Sequence, residues 1–219
     1  MRDFKAYFEE YNRSDPTVAD PAFDATFRKR VKWLARQLSS GVRVLEFGCG
    51  EGVVLAALSE RVALDSGSCG VDLSENAVRK AAARFPTLHF VPTKADGTIP
   101  FGAASFDVIV TSEVIDYVYD SEGLFEEFAR VLKTGGRLLV TTTYHGFLKT
   151  LVLLASGRTE RHYHDPRGGK LRHYSRASLA SILRDHGFRI VSWAGIGRIP
   201  YVWKTMAVAS VQDQHRHSA

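Results

Sequence analysis

Apolar positions recur along the chain with two periods that take turns. Between residues 22 and 40 they fall at Phe23, Phe27, Val31, Leu34 and Leu38, the spacing of one helix face, and Gly41 supplies a terminator. Val42 to Phe47 is a short apolar run, which predicts a strand entering a glycine-rich loop. Val53 to Ser59 predicts the helix after that loop. Cys69 to Leu73 predicts a second strand, and Ser74 is a good N-cap for a helix over Glu75 to Arg84, stopped by Pro86. Leu88 to Val91 and Phe106 to Thr111 predict the third and fourth strands. A helix over Gly123 to Leu132 is closed by Gly135 and Gly136, and the β-branched run Arg137 to Thr143 predicts a fifth strand. Ser175 caps a helix over Arg176 to His186, ended by Gly187; strands at Arg189 to Trp193 and Val202 to Ser210 complete the series.

Strands alternating with helices imply crossover units and parallel pairing. Strands this short, apolar on both sides, belong to a sheet covered on both faces. The link from Gly195 to Pro200 is too short for a helix, so the last two strands should form an antiparallel pair at one edge. The expected fold class is therefore α/β: a single doubly wound, mainly parallel sheet with an antiparallel strand pair at one edge and helices on both faces. Ligands of such sheets bind beyond the carboxyl ends of the strands, where the strand order switches.

The most informative stretch is Val44-Leu45-Glu46-Phe47-Gly48-Cys49-Gly50-Glu51-Gly52. A strand feeds a loop with glycines at alternate positions, and a helix follows. A dinucleotide fingerprint wants its third glycine one residue later, where Val53 stands; a Walker loop would need Gly-Lys-Ser/Thr. Glu46 at the strand end favours a cationic ligand group, whereas a pyrophosphate would be repelled. S-adenosylmethionine carries an ammonium and a sulfonium and no phosphate.

Glu46-x-Gly48-x-Gly50-x-Gly52 resembles the first motif of the class I S-adenosylmethionine-dependent methyltransferases. Asp72, at the end of the second strand, is placed like the acid that accepts both ribose hydroxyls. Asp96-Gly97 resembles the adenine-side turn, Ser105 to Ile109 with Ser112-Glu113-Val114 the fourth motif, and Val131 to Leu138 the segment entering the fifth strand. Four motifs in order span nearly the whole chain. Tyr174-Ser175-Arg176 to Ala180, with Leu183 and Gly187-Phe188, is similar to the late helix of the ubiquinone-biosynthesis and secondary-metabolism type. The resemblance implies a Rossmann-like methyltransferase fold with S-adenosyl-L-methionine as cofactor. It implies ammonium and carboxylate contacts at Glu46, Gly48 and Gly50, with Cys49 and Gly52 of the same loop also against the cofactor, ribose contacts at Asp72 and Leu73, adenine contacts at Asp96 and Gly97, and a sulfonium-side contact at Ser112 and Glu113.

Methyl transfer from a sulfonium needs an aligned nucleophile, and a base only where the acceptor enters protonated. Candidate bases are His145, just after the fifth strand, and Tyr117, after the fourth; His173, before the late helix, is a third. Glu113-Val114-Ile115-Asp116-Tyr117 resembles a metal-binding E-x-x-E-H stretch of some relatives, but Asp116 and Tyr117 replace the second Glu and the His, so no metal is assigned. Residues 1–21, with Phe4, Tyr7, Phe8 and Tyr11 at helical spacing, are expected to form a lid helix. Residues 22–211 form the methyltransferase domain, with an acceptor-covering insertion at about 144–173, and 212–219 a disordered tail.

Composition adds limits. The chain has 219 residues with 45% hydrophobic, enough for one sizeable core, and its two cysteines cannot build a disulfide framework. The first fifteen residues are charged and lack the apolar centre of a signal peptide, and no apolar run approaches a bilayer span, so the expected location is cytoplasmic. Net charge is +5, with Arg158, Arg161, Arg167, Lys170, Arg172 and Arg176 clustered between Leu151 and Arg176, which suits an anionic acceptor. A nucleic-acid amino methyltransferase would carry Pro-Pro-aromatic where Thr111-Ser112-Glu113 stands, and a base-carbon enzyme would need a cysteine other than Cys49 or Cys69. The expected activity is transfer of a methyl group to a small-molecule acceptor, at oxygen by resemblance. An RNA or protein methyltransferase and a non-catalytic cofactor-binding interaction protein are the alternatives. The sequence assigns no oligomeric state.

Overall fold

The computed structural model describes residues 5, 6, 9, 25–94, 96–157, 170–197 and 205–213. Seven strands form one sheet: β1 (Val44–Phe47), β2 (Cys69–Asp72), β3 (His89–Pro92), β4 (Phe106–Ser112), β5 (Leu132–Thr143), β6 (Phe188–Ile196) and β7 (Thr205–Gln212). Their order is β3-β2-β1-β4-β5-β7-β6. β1 pairs in parallel with β2 and β4, β2 with β3, and β4 with β5. β7 runs antiparallel to both β5 and β6. The expected antiparallel pair thus forms, with the last strand slotted inside the edge strand. The chain leaves β1 toward β2 and β3, then returns to lay β4 on the other side of β1. That reversal opens a crevice above the carboxyl ends of β1 and β4.

Side chains of β1 explain both covering layers. Leu45 and Phe47 point to one face and join Ile109, Phe125, Phe128, Leu179 and Leu183 in one core cluster. Val44 points to the other, with Phe27, Val31, Leu34, Leu55, Val108 and Leu139. The helices α4 (Ser121–Val131) and α6 (Arg176–Asp185) cover the first face; α1 (Ala25–Ala35) and α2 (Val53–Ser59) cover the second. Phe47, Phe125 and Phe128 meet edge to face, with ring centroids 5.2 and 5.7 Å apart. Glu46 lies between Leu45 and Phe47, so it shares the face of α1 and α2.

The caps read from the sequence form. Ser74 accepts the Ala77 N–H at the start of α3 (Glu75–Arg84), and Ser175 makes a reciprocal capping box with Ser178 on α6. Several boundaries differ. α1 stops at Ala35, and single-turn bonds from Gln37 and Leu38 carry the chain on toward Gly41. β5 starts at Leu132, five residues early, because a register shift between Phe106 and Val108 accommodates Lys133 to Gly136 within the strand. β7 runs on to Gln212, a residue assigned above to the tail; its buried amide donates to the Ala129 carbonyl at 2.7 Å.

The apolar run in the insertion forms α5 (Phe147–Ala155), with Phe147 80% and Leu154 60% exposed. Arg158, Arg161 and Arg167 lie outside the described residues, as do Phe4, Tyr7, Phe8 and Tyr11 of the expected lid. Of that N-terminal stretch, Glu9 accepts the N–H groups of Glu75 and Asn76 at 2.7 and 3.2 Å and so caps α3 beside Asp72. No helix among the described residues is long and apolar enough to cross a membrane.

Candidate active site

The loop after β1 is shaped by its glycines. Gly48 and Cys49 both donate N–H bonds to the Val71 carbonyl, at 2.8 and 2.9 Å, which folds the loop over β2. Gly52 has φ +79, and an added Cβ would stand 2.6 Å from the Phe90 ring, so the next helix could not seat against β3. Gly50 differs: φ is +52, and an added Cβ would meet nothing within 4 Å. Of these two glycines, Gly52 serves packing and Gly50 opens onto space. Cys49 is buried, and burial pushes its thiol far above the usual range, which marks it as an inert loop residue.

Asp72 ends β2 and is fixed by the same loop. Its Oδ2 accepts the Gly50 N–H at 2.8 Å and its Oδ1 the Ser74 N–H at 2.9 Å. A carboxylate has about four acceptor positions, so these bonds orient it and leave capacity for two hydroxyl donors. Burial raises its pKa, the backbone bonds pull the other way, and Glu9 adds to the rise. Leu73 follows, half-buried. Asp96 sits on an exposed turn and accepts the Thr98 N–H at 2.9 Å, which lowers its pKa. Its neighbour Gly97 has φ +86 with open space around it. The hydrogen bonds of Asp96 among the described residues stay within this turn, so the structure does not draw it to Glu46 and Asp72 as it draws Gly50.

Glu46 is 1% exposed, and its Oε2 accepts the Leu55 N–H at 2.9 Å, in the first turn of α2. Burial pushes its carboxyl up to about 8; the nearby Asp72 adds to this, while the Leu55 bond and the Arg30 guanidinium oppose it. Across the crevice, Glu113 follows β4 in the left-handed region, with φ 62. Only Gly adopts that conformation at no steric cost, so the strain marks a residue held by its surroundings. The Glu113 N–H donates to the Thr141 carbonyl at 2.8 Å, and Thr143 donates to its Oε2 at 3.4 Å. Burial raises this carboxyl too. Ser112 is turned to the neighbouring strand, its Oγ 3.1 Å from Thr141 Oγ1.

Arg30 was not singled out above. It lies on α1, its Cζ 5.5 Å from the Phe27 ring centroid and its Nη1 3.8 Å from Glu113 Oε1. Its side chain is only 15% exposed, and its Nε is buried without a hydrogen-bond partner, as is Glu113 Oε1. A buried guanidinium beside the Glu113 carboxyl, with its Nε donor unmet, has bonding capacity left for an acceptor. The signal was in the sequence. Phe27, Arg30, Val31 and Leu34 share one helix face, which puts a cation on a core-facing stripe.

Beyond the crevice, Asp116 and Tyr117 lie on a short 3-10 turn (Ile115–Tyr117). Asp116 is fully buried; Thr142 Oγ1 donates to it, and Lys170 Nζ reaches it at 3.0 Å. Lys170 also donates to Thr143 Oγ1 and lies 5.7 Å from the Tyr117 ring centroid. Three of the clustered cations are engaged internally: Lys170 with Asp116, Arg172 with the Val118 and Tyr119 carbonyls, and Arg176 over the Trp193 ring, 5.0 Å from its centroid. Among the described residues, no group of three or more His, Cys, Asp or Glu side chains could hold a metal ion. His145 lies two residues past β5, and His173 is brought against it, Nδ1 to Nε2 at 3.2 Å.

The glycine loop after β1 and the carboxylate of Asp72 at the end of β2 border the crevice where the strand order reverses, the place where doubly wound sheets bind ligands. The family model described as a methyltransferase domain matches residues 11–193, and the chain belongs to that family. A ubiquinone biosynthesis O-methyltransferase of Caulobacter sp. (strain K31) is 34% identical over 122 residues, 53% of this chain and 46% of that protein. A nocamycin O-methyltransferase of Saccharothrix syringae is 34% identical over 129 residues, 54% of this chain and 46% of that one. The chain spans about half the length of the curated relatives it matches. Among solved structures, magnesium protoporphyrin IX methyltransferase from Synechocystis PCC 6803 with bound SAH superimposes with a TM-score of 0.66 at 18% identity, covering 95% of this chain and 98% of that one. At that identity the likeness concerns the fold.

Proposed function

We propose that the protein methylates a hydroxyl group of a small molecule, with S-adenosylmethionine held in the crevice between β1 and β4. The observation that carries this reading is the pairing of opposite charges there. Glu46 offers a buried carboxyl to an ammonium, and Arg30 offers an unmet buried donor to a carboxylate. A methionine end carries both groups. Asp72, oriented by Gly50 and Ser74, takes the ribose hydroxyls, and Gly50 leaves room for the ligand to lie on the backbone.

When bound, the cofactor supplies a methyl carbon on a cationic sulfur that departs as a neutral thioether. The protein's task is then alignment and removal of one proton. His145 takes that proton, and Tyr117 is the second candidate to orient the acceptor. The ubiquinone and nocamycin relatives are both O-methyltransferases, which supports oxygen as the acceptor atom. The setting proposed for the reaction is the cytosol.

Two measurements test this. Calorimetric titration should show S-adenosylmethionine binding to the wild-type chain and weakened binding to Asp72→Ala; equal affinities would remove Asp72 from the site. A panel of phenols assayed for methyl transfer should contain turned-over acceptors that His145→Ala processes more slowly.

A further inference from the structure

Methylating a hydroxyl with a sulfonium converts one cation and a neutral acceptor into two neutral products and a proton. Each turnover must therefore deliver a proton from the crevice to water. His145 is half-buried, whereas His173 is exposed, and the insertion returns the chain so that their rings meet. The ring centroids are 4.5 Å apart with planes at 59°, and His173 Nδ1 lies 3.2 Å from His145 Nε2. The contact is held from both sides. The N–H groups of Leu171 and Arg172 donate to the Asp116 carbonyl at 2.8 and 3.1 Å, and Arg172 grips the Val118 and Tyr119 carbonyls. On the other side, the buried Tyr174 pairs its hydroxyl with Ser121 Oγ at 2.8 Å.

We propose that His173 completes a two-imidazole proton relay with His145, carrying the acceptor's proton from the crevice to solvent. The proposal rests on the hydroxyl-methylation reading above. A neutral pair at this distance has one N–H between the rings. With His145 Nε2–H donating to His173 Nδ1, the basic nitrogen of His145 is Nδ1, and His173 carries its other proton on Nε2. As an acceptor oxygen lone pair forms the bond to the methyl carbon, the carbon–sulfur bond breaks and its electron pair stays on sulfur. The hydroxyl proton goes to His145 Nδ1, the Nε2 proton passes to His173 Nδ1, and the Nε2 proton of His173 leaves to water. One proton enters the pair and one departs, leaving each ring as its other tautomer; once the product leaves, water in the opened crevice takes the His145 Nδ1 proton, the shared proton returns to His145 Nε2 and solvent reprotonates His173 Nε2, which restores the starting pair. His173 touches neither acceptor nor methyl group and is a positioning and relay residue.

His173→Gln separates relay from support, because an amide oxygen accepts the His145 N–H but passes no proton on. The wild type and this variant are assayed on phenols of graded acidity, from unsubstituted phenol and catechol to 4-nitrophenol. The expected result is unchanged S-adenosylmethionine affinity and melting temperature, with kcat lowered about tenfold or more on the weakly acidic phenols and little changed on those already ionised at the assay pH. A loss equal across the panel, or no loss, overturns the relay while leaving the hydroxyl reading intact. A wild-type protein that places the methyl of S-adenosylmethionine on nitrogen, carbon or sulfur of its acceptors and never on oxygen overturns the hydroxyl reading and the relay with it. A 15N-histidine spectrum with no coupling across the two rings overturns the relay whatever the acceptor.

Discussion

Arg30 Nη1 stands 3.8 Å from Glu113 Oε1, close enough for attraction and too far for a hydrogen bond, and Arg30 Nε and Glu113 Oε1 are both buried without a hydrogen-bond partner. The pair flanks the crevice as two half-satisfied charges. A ligand carboxylate at Arg30 would complete the guanidinium's bonding without displacing Glu113.

Arg30→Ala is therefore expected to weaken S-adenosylmethionine binding about 10- to 100-fold, the worth of a charge-assisted bond of roughly 1.5–3 kcal/mol. Decarboxylated S-adenosylmethionine is the informative control. Its affinity should be the same for wild type and variant, and calorimetry with both ligands reads the difference. A variant that loses both ligands equally would place Arg30 in the fold and not in carboxylate recognition.

Glu46 makes the site pH-dependent in a direction that can be worked out. Its carboxyl ionises near 8 in the folded protein, against an ordinary value of 4.5, so at neutral pH it is mostly protonated. A cationic group beside it favours the ionised form, so binding should expel a proton, and affinity should rise from about pH 6 to about pH 8. Calorimetry in buffers of different ionisation enthalpy measures that proton, and Glu46→Gln should abolish it. In the free protein the sign is opposite. The folded state holds an extra proton between about 4.5 and 8, so this group's contribution to stability is full below that window and is lost as pH rises through it.

Gly50 and Gly52 should respond to alanine in different ways. Gly52→Ala forces a Cβ to within 2.6 Å of Phe90 at φ +79, and is expected to cost about 2 kcal/mol or more of stability. Gly50→Ala meets no atom, so its cost should be only the left-handed backbone, about 1 kcal/mol. Its Cβ should instead obstruct the ligand. Urea denaturation together with cofactor titration separates a folding defect at Gly52 from a binding defect at Gly50.

What could be read from the sequence was whatever is local in the chain. Glu46 and the glycine loop are contiguous, and Asp72 is one crossover away, so the resemblance to the family's motifs was enough to set them together. Helix caps at Ser74 and Ser175 depend on four residues each and were legible for the same reason. Arg30 was missed because only tertiary packing of α1 against β1 turns a helix position into a wall of the crevice. The junction of His145 with His173 was equally hidden: both were read as separate candidates, and nothing in the intervening residues states that the insertion returns to its own start. Lys170 was counted as part of a basic surface, and its pairing with Asp116 requires knowing that the 3-10 turn points its carboxylate inward.

That last pairing makes an asymmetric prediction. Asp116 is wholly buried, while the Lys170 side chain is 27% exposed. Among the described residues, Lys170→Met would leave the buried Asp116 carboxylate with Thr142 and without its cation, whereas Asp116→Asn would leave an ammonium that can turn toward water. The first change should therefore cost more, up to about 3 kcal/mol, and the second clearly less. Because the same contact fixes the end of the insertion, Lys170→Met should also free the Leu171 to His173 segment, and the His145–His173 contact should loosen with it. Combining the two substitutions removes the stranded charge, so the double variant should recover part of the stability lost in Lys170→Met. Urea midpoints for the two single variants and the double variant give the three comparisons. Equal losses in the single variants, or simple addition in the double, would mean that water already reaches Asp116 and that the pair does not lock the insertion to the sheet.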